Sequence, residues 1–201
     1  FGLQFYSVSG EKGHRITFPA GNGPGEVQPF SVSALKIVNE RIYIVNLAAQ
    51  TLSLFDTNGK YLDDIQLNDE MGFIYSLDTF KDRLYFTGLF KNRIGAIDLK
   101  DGSLIKRVEY EDPITDMTKI MGSDLKTGSL NVDQSGGHIY LGYYNVPYRI
   151  EEYDENLELV RTMTRPLKEK YENMKVGGLG GGHLLISSVK NDEKYIYACF
   201  G

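Results

Sequence analysis

Short apolar runs separated by Gly, Asn and Asp recur along the chain, and no stretch carries a sustained helical period. Three segments align with one another: "RIYIVNLAAQTLSLFDTNGKYLDDI" (41–65), "RLYFTGLFKNRIGAIDLKDGSLIKRV" (83–108) and "HIYLGYYNVPYRIEEYDENLELVRTM" (138–163). Each opens on a basic residue or His, then an apolar residue and Tyr, and runs on as a strand. A loop follows, then a second strand ending in Asp, a turn, and a third strand. Tyr43 and Asp56 are 13 positions apart, as are Tyr85 and Asp98, and Tyr140 to Asp154 is one longer.

A further strand precedes each unit: "SVSALKIV" (31–38), "IYSLDTF" (74–80) and "LNVD" (130–133). Each repeat is therefore a meander of four strands, a to d, with turn residues at every reversal. The repeat tyrosines Tyr43, Tyr85 and Tyr140 are 42 and then 55 residues apart. Four-stranded units with a period of roughly 40–45 residues predict an all-β chain, a β-propeller of four-stranded antiparallel blades. The full blades are expected at 31–67, 73–110 and 129–166. Partial blades are expected at 1–19, matching strands c and d, and at 174–201, where "HLLISSVKNDEKYIYACF" (183–200) puts Leu185 in the tyrosine's place. One propeller domain is expected over 1–201, starting and ending inside a blade: either a small ring of about four blades closed by an N-terminal strand or, as the strand count favours, part of a larger ring. "PLKEKYENM" (166–174) has the composition for one or two helical turns.

"GNGPGE" (21–26) raises the question of a phosphate loop. The Walker pattern needs Lys-Ser/Thr leading into a helix, and none follows; Pro24 also removes a backbone donor. Glycines at 21, 23 and 25 miss the dinucleotide spacing as well. A tight path from the outer strand of one blade to the inner strand of the next explains them better. Together with the blade that follows it, and its "FDTNGK" turn, this segment resembles the NHL-like, TolB-like six-bladed propellers of exported bacterial proteins. The likeness is strongest over 14–66 and fair through 110. It implies a six-bladed ring and a periplasmic or cell-surface location, with an upstream lipid anchor frequent in the group, although residues 1–201 show no signal-peptide pattern or lipobox.

The formal net charge of −5 disfavours a nucleic-acid surface, which needs a basic patch. No apolar run approaches the ~18 residues of a transmembrane helix. The single cysteine, Cys199, permits no intramolecular disulfide and reads as core filler in a strand.

In such an architecture the d–a and b–c connections share one face. The long segments here, 20–30, 111–129 and 166–178, all belong to it, so a site is expected there. Its b–c loops offer Asn46 and Gln50, then Phe90, Lys91, Asn92 and Arg93, then Tyr143, Tyr144, Asn145 and Tyr148. Exposed aromatics beside amides and cations suit a carbohydrate, peptide or protein ligand. The alternative is that these rings pack between blades. Ligand-binding residues are thus expected among Asn46, Gln50, Phe90, Asn92, Arg93, Tyr143, Tyr144 and Tyr148.

Evidence for catalysis is thin. His138 and His183 occupy equivalent places at the start of strand b, and His14 lies at a c–d turn, all on the opposite face. No H-E-x-x-H, G-x-S-x-G or C-x-x-C occurs. Asp56, Asp98 and Asp154 close strand c and are expected to bond the turn backbone. The reading is a non-catalytic binding or scaffolding module without a cofactor, alone or as one module of a larger envelope or signalling protein. The resemblance also implies an alternative, a calcium-dependent lactonase-like hydrolase, with Glu26, Asn46, Asp116 and Asn145 as contributors and the acidic "EDPITDM" (111–117) nearby.

Overall fold

The computed structural model describes residues 1–89, 91–111, 127–144, 148–165, 188–192 and 194–199. The chain divides into two compact units, Phe1–Asn68 and Asp69–Gly201. Among the described residues there are strands and turns and no helix. The segments 112–126 and 166–187, which include the stretch read as helical turns, lie outside them.

In the first unit a hairpin of β1 (Gly2–Tyr6) and β2 (Lys12–Thr17) accompanies one four-stranded antiparallel sheet, in order β3 (Val32–Val38), β4 (Arg41–Asn46), β5 (Thr51–Asp56) and β6 (Tyr61–Gln66). Ile42, Ile44 and Phe55 of that sheet form a core with Ile16, Phe18 and Val27, against which Phe1, Leu3 and Phe5 also pack. The β3–β4 reversal puts Asn39 and Glu40 at φ 49° and 59°. Two successive left-handed residues give the turn whose twist matches that of a hairpin.

The second unit contains two more such sheets. One joins β7 (Ile74–Phe80), β8 (Arg83–Gly88), β9 (Asn92–Asp98) and β10 (Leu104–Glu109). The other joins β11 (Gly128–Val132), β12 (Ile139–Tyr143), β13 (Arg149–Tyr153) and β14 (Leu159–Thr164). A hairpin of β15 (Ser188–Asn191) and β16 (Ile196–Cys199) follows. The sheets β3–β6, β7–β10 and β11–β14 are the first, second and third blades below.

Burial follows strand position. Strand b is apolar without alternation, and β4, β8 and β12 are buried over nearly their whole length. A strand covered on both faces needs no polar side. Strand d is the outer edge: β14 is almost wholly exposed, and β6 carries Asp63 and Asp64. Charges on an edge discourage unwanted strand pairing.

The two blades of the second unit meet face to face. Tyr85 of the second packs with Ile94 and Ala96 against Leu130, Ile139, Leu141 and Tyr153 of the third. Its hydroxyl donates to the Glu155 carbonyl at 2.9 Å. Tyr140 of the third blade, at the same repeat position, packs against Val189, with Ile196 and Ala198 of the next hairpin alongside. In the second unit the repeat tyrosine thus faces the strands that follow its blade.

Inner strands are also tied to each other. Ser76 Oγ accepts the Leu130 N–H at 3.3 Å, and Ser129 Oγ accepts the Val189 N–H at 3.2 Å. Asp78 Oδ2 accepts the Val132 N–H at 3.0 Å, and Asn131 donates to Asn191 Oδ1. This equivalence makes β15 an a strand and β16 a b strand. Tyr197, paired with Lys190 as Tyr140 is with Asn131, therefore holds the repeat tyrosine's place. The alignment that gave this place to Leu185 is corrected: it rested on the His183 match, and residues 181–187 lie outside the described ones. Cys199 lies in a strand, but it is exposed rather than core filler. Alternation along β16 turns Ile196 and Ala198 towards Val189 and leaves Tyr197 and Cys199 on the other side.

Asp78 is 1% exposed and also accepts the Thr79 N–H at 2.9 Å. Asp78→Ala leaves the buried Val132 N–H without this acceptor and is expected to cost about 1–3 kcal/mol in urea unfolding. Asp78→Asn, which keeps an acceptor, should lose less. Equal stability of all three proteins would contradict the strand-to-strand tie.

Candidate functional site

The glycine loop at 21–26 is occupied by the chain's own carboxylate. Gly23 N–H donates to Glu26 Oε2 at 2.9 Å, and a Cβ on Gly21 would stand 2.0 Å from the same oxygen. Only glycine lets the backbone approach a carboxylate so closely. The loop does cradle an anion, but an internal one. Asn46, fully buried, is spent nearby: its Oδ1 accepts from Ser31 Oγ at 2.7 Å and its Nδ2 donates to the Glu26 carbonyl at 3.4 Å. Gln50 is exposed at the β4–β5 turn with φ 52°. Its carbonyl accepts from Leu67 N–H and from the Gln66 side chain.

The c–d turns are closed by aspartates. Asp56 Oδ1 accepts from the N–H groups of Asn58 and Lys60, Asp98 from Lys100, and Asp154 from Asn156 and Glu158. These are the turn bonds expected from the repeat. His14 stacks on Phe5 and lies 2.8 Å from the Thr57 carbonyl through Nε2. His138 Nδ1 stands 3.0 Å from Glu152 Oε1. His183 lies outside the described residues.

At the b–c end of the second unit the picture changes. Asn92 is buried and donates to the Glu70 and Met71 carbonyls at 2.8 and 2.7 Å. Beside it in sequence, Arg93 reaches from the second blade to Glu151 of the third, Nη1 to Oε1 at 3.7 Å. Arg149 opens β13 and approaches the same oxygen at 3.4 Å through Nε, with its guanidinium 4.0 Å over the Tyr143 ring. The other oxygen, Oε2, accepts the hydroxyls of Tyr143 at 2.7 Å and Tyr153 at 2.5 Å. A carboxylate only 3% exposed is thus held by two phenols and two cations drawn from two blades. Such a charge survives burial only with partners of this kind.

The register explains the gathering. Tyr143 and Arg149 end β12 and begin β13, and Glu151 and Tyr153 follow Arg149 on the same side of the strand. Arg93 and Arg149 each stand five residues before the closing aspartate, Asp98 or Asp154, where the first blade has Thr51. Tyr144 stacks edge-on with Tyr75 at 5.7 Å, and Tyr148 packs with Tyr140 and Ile150. Tyr143, Tyr144 and Tyr148 are all buried, so these rings pack within and between blades, as the alternative reading held. Phe90, Asn145 and Asp116 lie outside the described residues.

Burial pushes the phenol pKa values of Tyr110, Tyr143, Tyr144 and Tyr153 well above the ordinary value of 10. The Glu151 charge pushes Tyr143 further up, and its hydrogen bond and charge do the same for Tyr153. Burial works against the Arg93 charge, but the Tyr153 and Tyr143 phenols and the Glu151 carboxylate outweigh it and raise its pKa.

Glu151 is the participant the sequence reading missed; its signal was an acidic residue at a strand c position held by Ser53 and Gly95 in the other blades. At the opposite, short-turn end, an open groove of about 480 Å³ is lined by Asp133, Tyr140, Arg161, Asp192, Lys194 and Tyr195, among others. Its charges are engaged: Arg161 Nε donates to Glu152 at 2.5 Å, and both aspartates bond turn N–H groups. Among the described residues, no group of three or more His, Cys, Asp or Glu is placed to hold a metal ion. No helix among them is long and apolar enough to cross a membrane.

Repeated four-stranded antiparallel sheets of this kind define a β-propeller fold. No protein-family model and no curated protein matches the chain. Solved structures do. A DUF4221 family member from Bacteroides vulgatus is 13% identical, with a TM-score of 0.59 over 84% of this chain and 53% of its own. A protein of unknown function from Bacteroides caccae is 15% identical, with a TM-score of 0.53 over 82% of this chain and 59% of its own. A catalytically inactive virginiamycin B lyase from Staphylococcus aureus, solved with quinupristin, is 17% identical, with a TM-score of 0.52 over 81% of this chain and 47% of its own. The chain spans about half the length of these structures. At such identities the likeness is one of fold.

A phenol held protonated by the fold contributes stability that is complete below its unfolded pKa and is lost as pH rises above it. The four raised tyrosines therefore predict a fold that weakens above about pH 10, with a late class of tyrosines ionising in step with unfolding. Tyrosinate absorbance and circular dichroism followed together check this. A single early titration of every tyrosine with the fold intact would contradict it.

Proposed function

We propose that the chain is a non-catalytic binding or scaffolding propeller working through the face that carries the d–a and b–c connections. One observation carries the reading: at the b–c end two partly exposed guanidiniums and a set of tyrosines gather around a single buried carboxylate. The short c–d turns instead spend their aspartates on their own backbone. A rigid frame with its spare hydrogen-bonding capacity at one end is the arrangement of a recognition surface. Glycan, peptide and protein ligands are all compatible with partly exposed guanidiniums.

The likeness of residues 14–66 to exported NHL-like and TolB-like propellers supports a place in the bacterial cell envelope. In the second unit Arg93 is the side chain we assign to ligand contact, with Asn92 positioning the backbone beside it; in the first unit Gln50 is assigned the same role, with Asn46 positioning the backbone nearby.

The reading is tested on a glycan and peptide array with paired variants. Gln50→Ala and Arg93→Gln alter the b–c face, and Asn58→Ala and Lys100→Ala alter the c–d turns. Captured ligands should weaken about tenfold or more with at least one b–c variant, as for a lost interface anchor, and hold with both turn variants. The reverse pattern would overturn the assignment of the face.

A further inference from the structure

We propose that Arg93 and Arg149 together receive an oxyanion, a carboxylate or phosphate group carried by the ligand; this rests on the b–c end being the binding face. Glu151 has two oxygens to offer. Its Oε2 is taken by two tyrosine hydroxyls at 2.7 and 2.5 Å. Its Oε1 is shared by two guanidiniums at 3.7 and 3.4 Å, beyond hydrogen-bonding distance for Arg93 and unaligned for Arg149. The Nε atoms of both arginines are buried and carry no hydrogen bond. Buried polar atoms in folded proteins nearly always have a partner, and an arginine offers five donors in a planar fork. One carboxylate, with the Tyr143 hydroxyl beside Arg93, leaves this pair of forks underused.

Charge leads to the same place. Among the described residues two guanidiniums face one carboxylate, leaving one positive charge in excess. The nearby Glu109 is engaged elsewhere, by Lys91 at 3.7 Å and Arg107 at 3.0 Å. The surrounding tyrosines bring no negative charge at neutral pH. The arginine side chains are 23% and 33% exposed, whereas Glu151 is almost wholly covered. The cations therefore stand between the buried carboxylate and solvent. With both Nε atoms buried, an incoming oxyanion is received through whatever the arginines expose, with Glu151 close to both to keep the forks from turning away. Paired guanidiniums favour planar, multidentate recognition of carboxylate or phosphate over a single point contact. The Tyr143 face under Arg149 fixes one of the two forks in advance.

The experiment titrates the full chain with inorganic phosphate, glucuronate and glucose. Calorimetry gives affinity, and the arginine Nε–H signals in a nitrogen-15 NMR spectrum give location. We expect saturable binding of phosphate or glucuronate, with the Arg93 and Arg149 signals shifting and glucose without effect. Arg93→Gln and Arg149→Gln should each weaken binding about tenfold, the scale of a lost charge-assisted hydrogen bond. Arg149→Lys should fall between, because it keeps charge without the fork. If a Gln variant does not fold, the shifts in the unaltered protein decide the matter. Response to phosphate alone identifies a phosphoester ligand, and response to glucuronate alone identifies a carboxylate one.

Absence of saturable binding by both anions, or binding that survives both Gln substitutions, overturns the proposal. The two levels stay distinguishable. A neutral array ligand lost in Gln50→Ala, with no anion response, overturns the oxyanion and leaves the binding face standing. Array ligands lost only in the turn variants overturn the face itself.

Discussion

The contact on which the second unit depends is the one between a repeat tyrosine and the blade that follows it. Tyr85 lies wholly buried against the third blade and donates to the Glu155 carbonyl, so it is both apolar filler and a directional tie. Tyr140 repeats the contact one blade on. A large ring at this position matters because antiparallel sheets stacked face to face are about 10 Å apart, and large side chains fill that space. The inner strands add polar ties through Ser76, Asp78, Ser129 and Asn131. The first blade has Ala34 and Lys36 in the matching places of its inner strand.

That packing is what permits a buried charge. Glu151 accepts the hydroxyls of Tyr143 and Tyr153, two members of the same buried cluster. An ion pair in such a place does not drive folding, since desolvating three charges offsets much of their attraction. Its value is positional. Arg93 comes from one blade and Arg149, Tyr143 and Tyr153 from the next, so the set is complete only when the two blades are in register. The scaffold and the candidate site thus share one set of atoms.

Much of this was legible in the chain. The Tyr-to-Asp spacing placed the strands, the closing aspartates made the expected turn bonds, and the glycine loop proved to be a turn rather than a nucleotide cradle. Arg93 and Tyr143 were legible as b–c residues. What they do there was not, because the contact crosses from one blade to the next and no local pattern encodes the partner. Glu151 escaped for the same reason: within its own strand it reads as a surface residue. Asn46 and Asn92 look like loop amides in sequence, yet folding turns them inward onto backbone carbonyls. The last hairpin was misaligned because one histidine match outweighed the Tyr-Ile-Tyr pattern at 195–197.

The central claim is that Arg93 and Glu151 act together across the boundary between two blades. A double-mutant cycle with Arg93→Met and Glu151→Gln, read by urea unfolding, tests it most directly. The account predicts a coupling energy of about 1–3 kcal/mol, as expected for charged partners in one partly buried network. Additivity to within about 0.5 kcal/mol would mean that the two residues stand near each other without interacting, and the account of the site would fall.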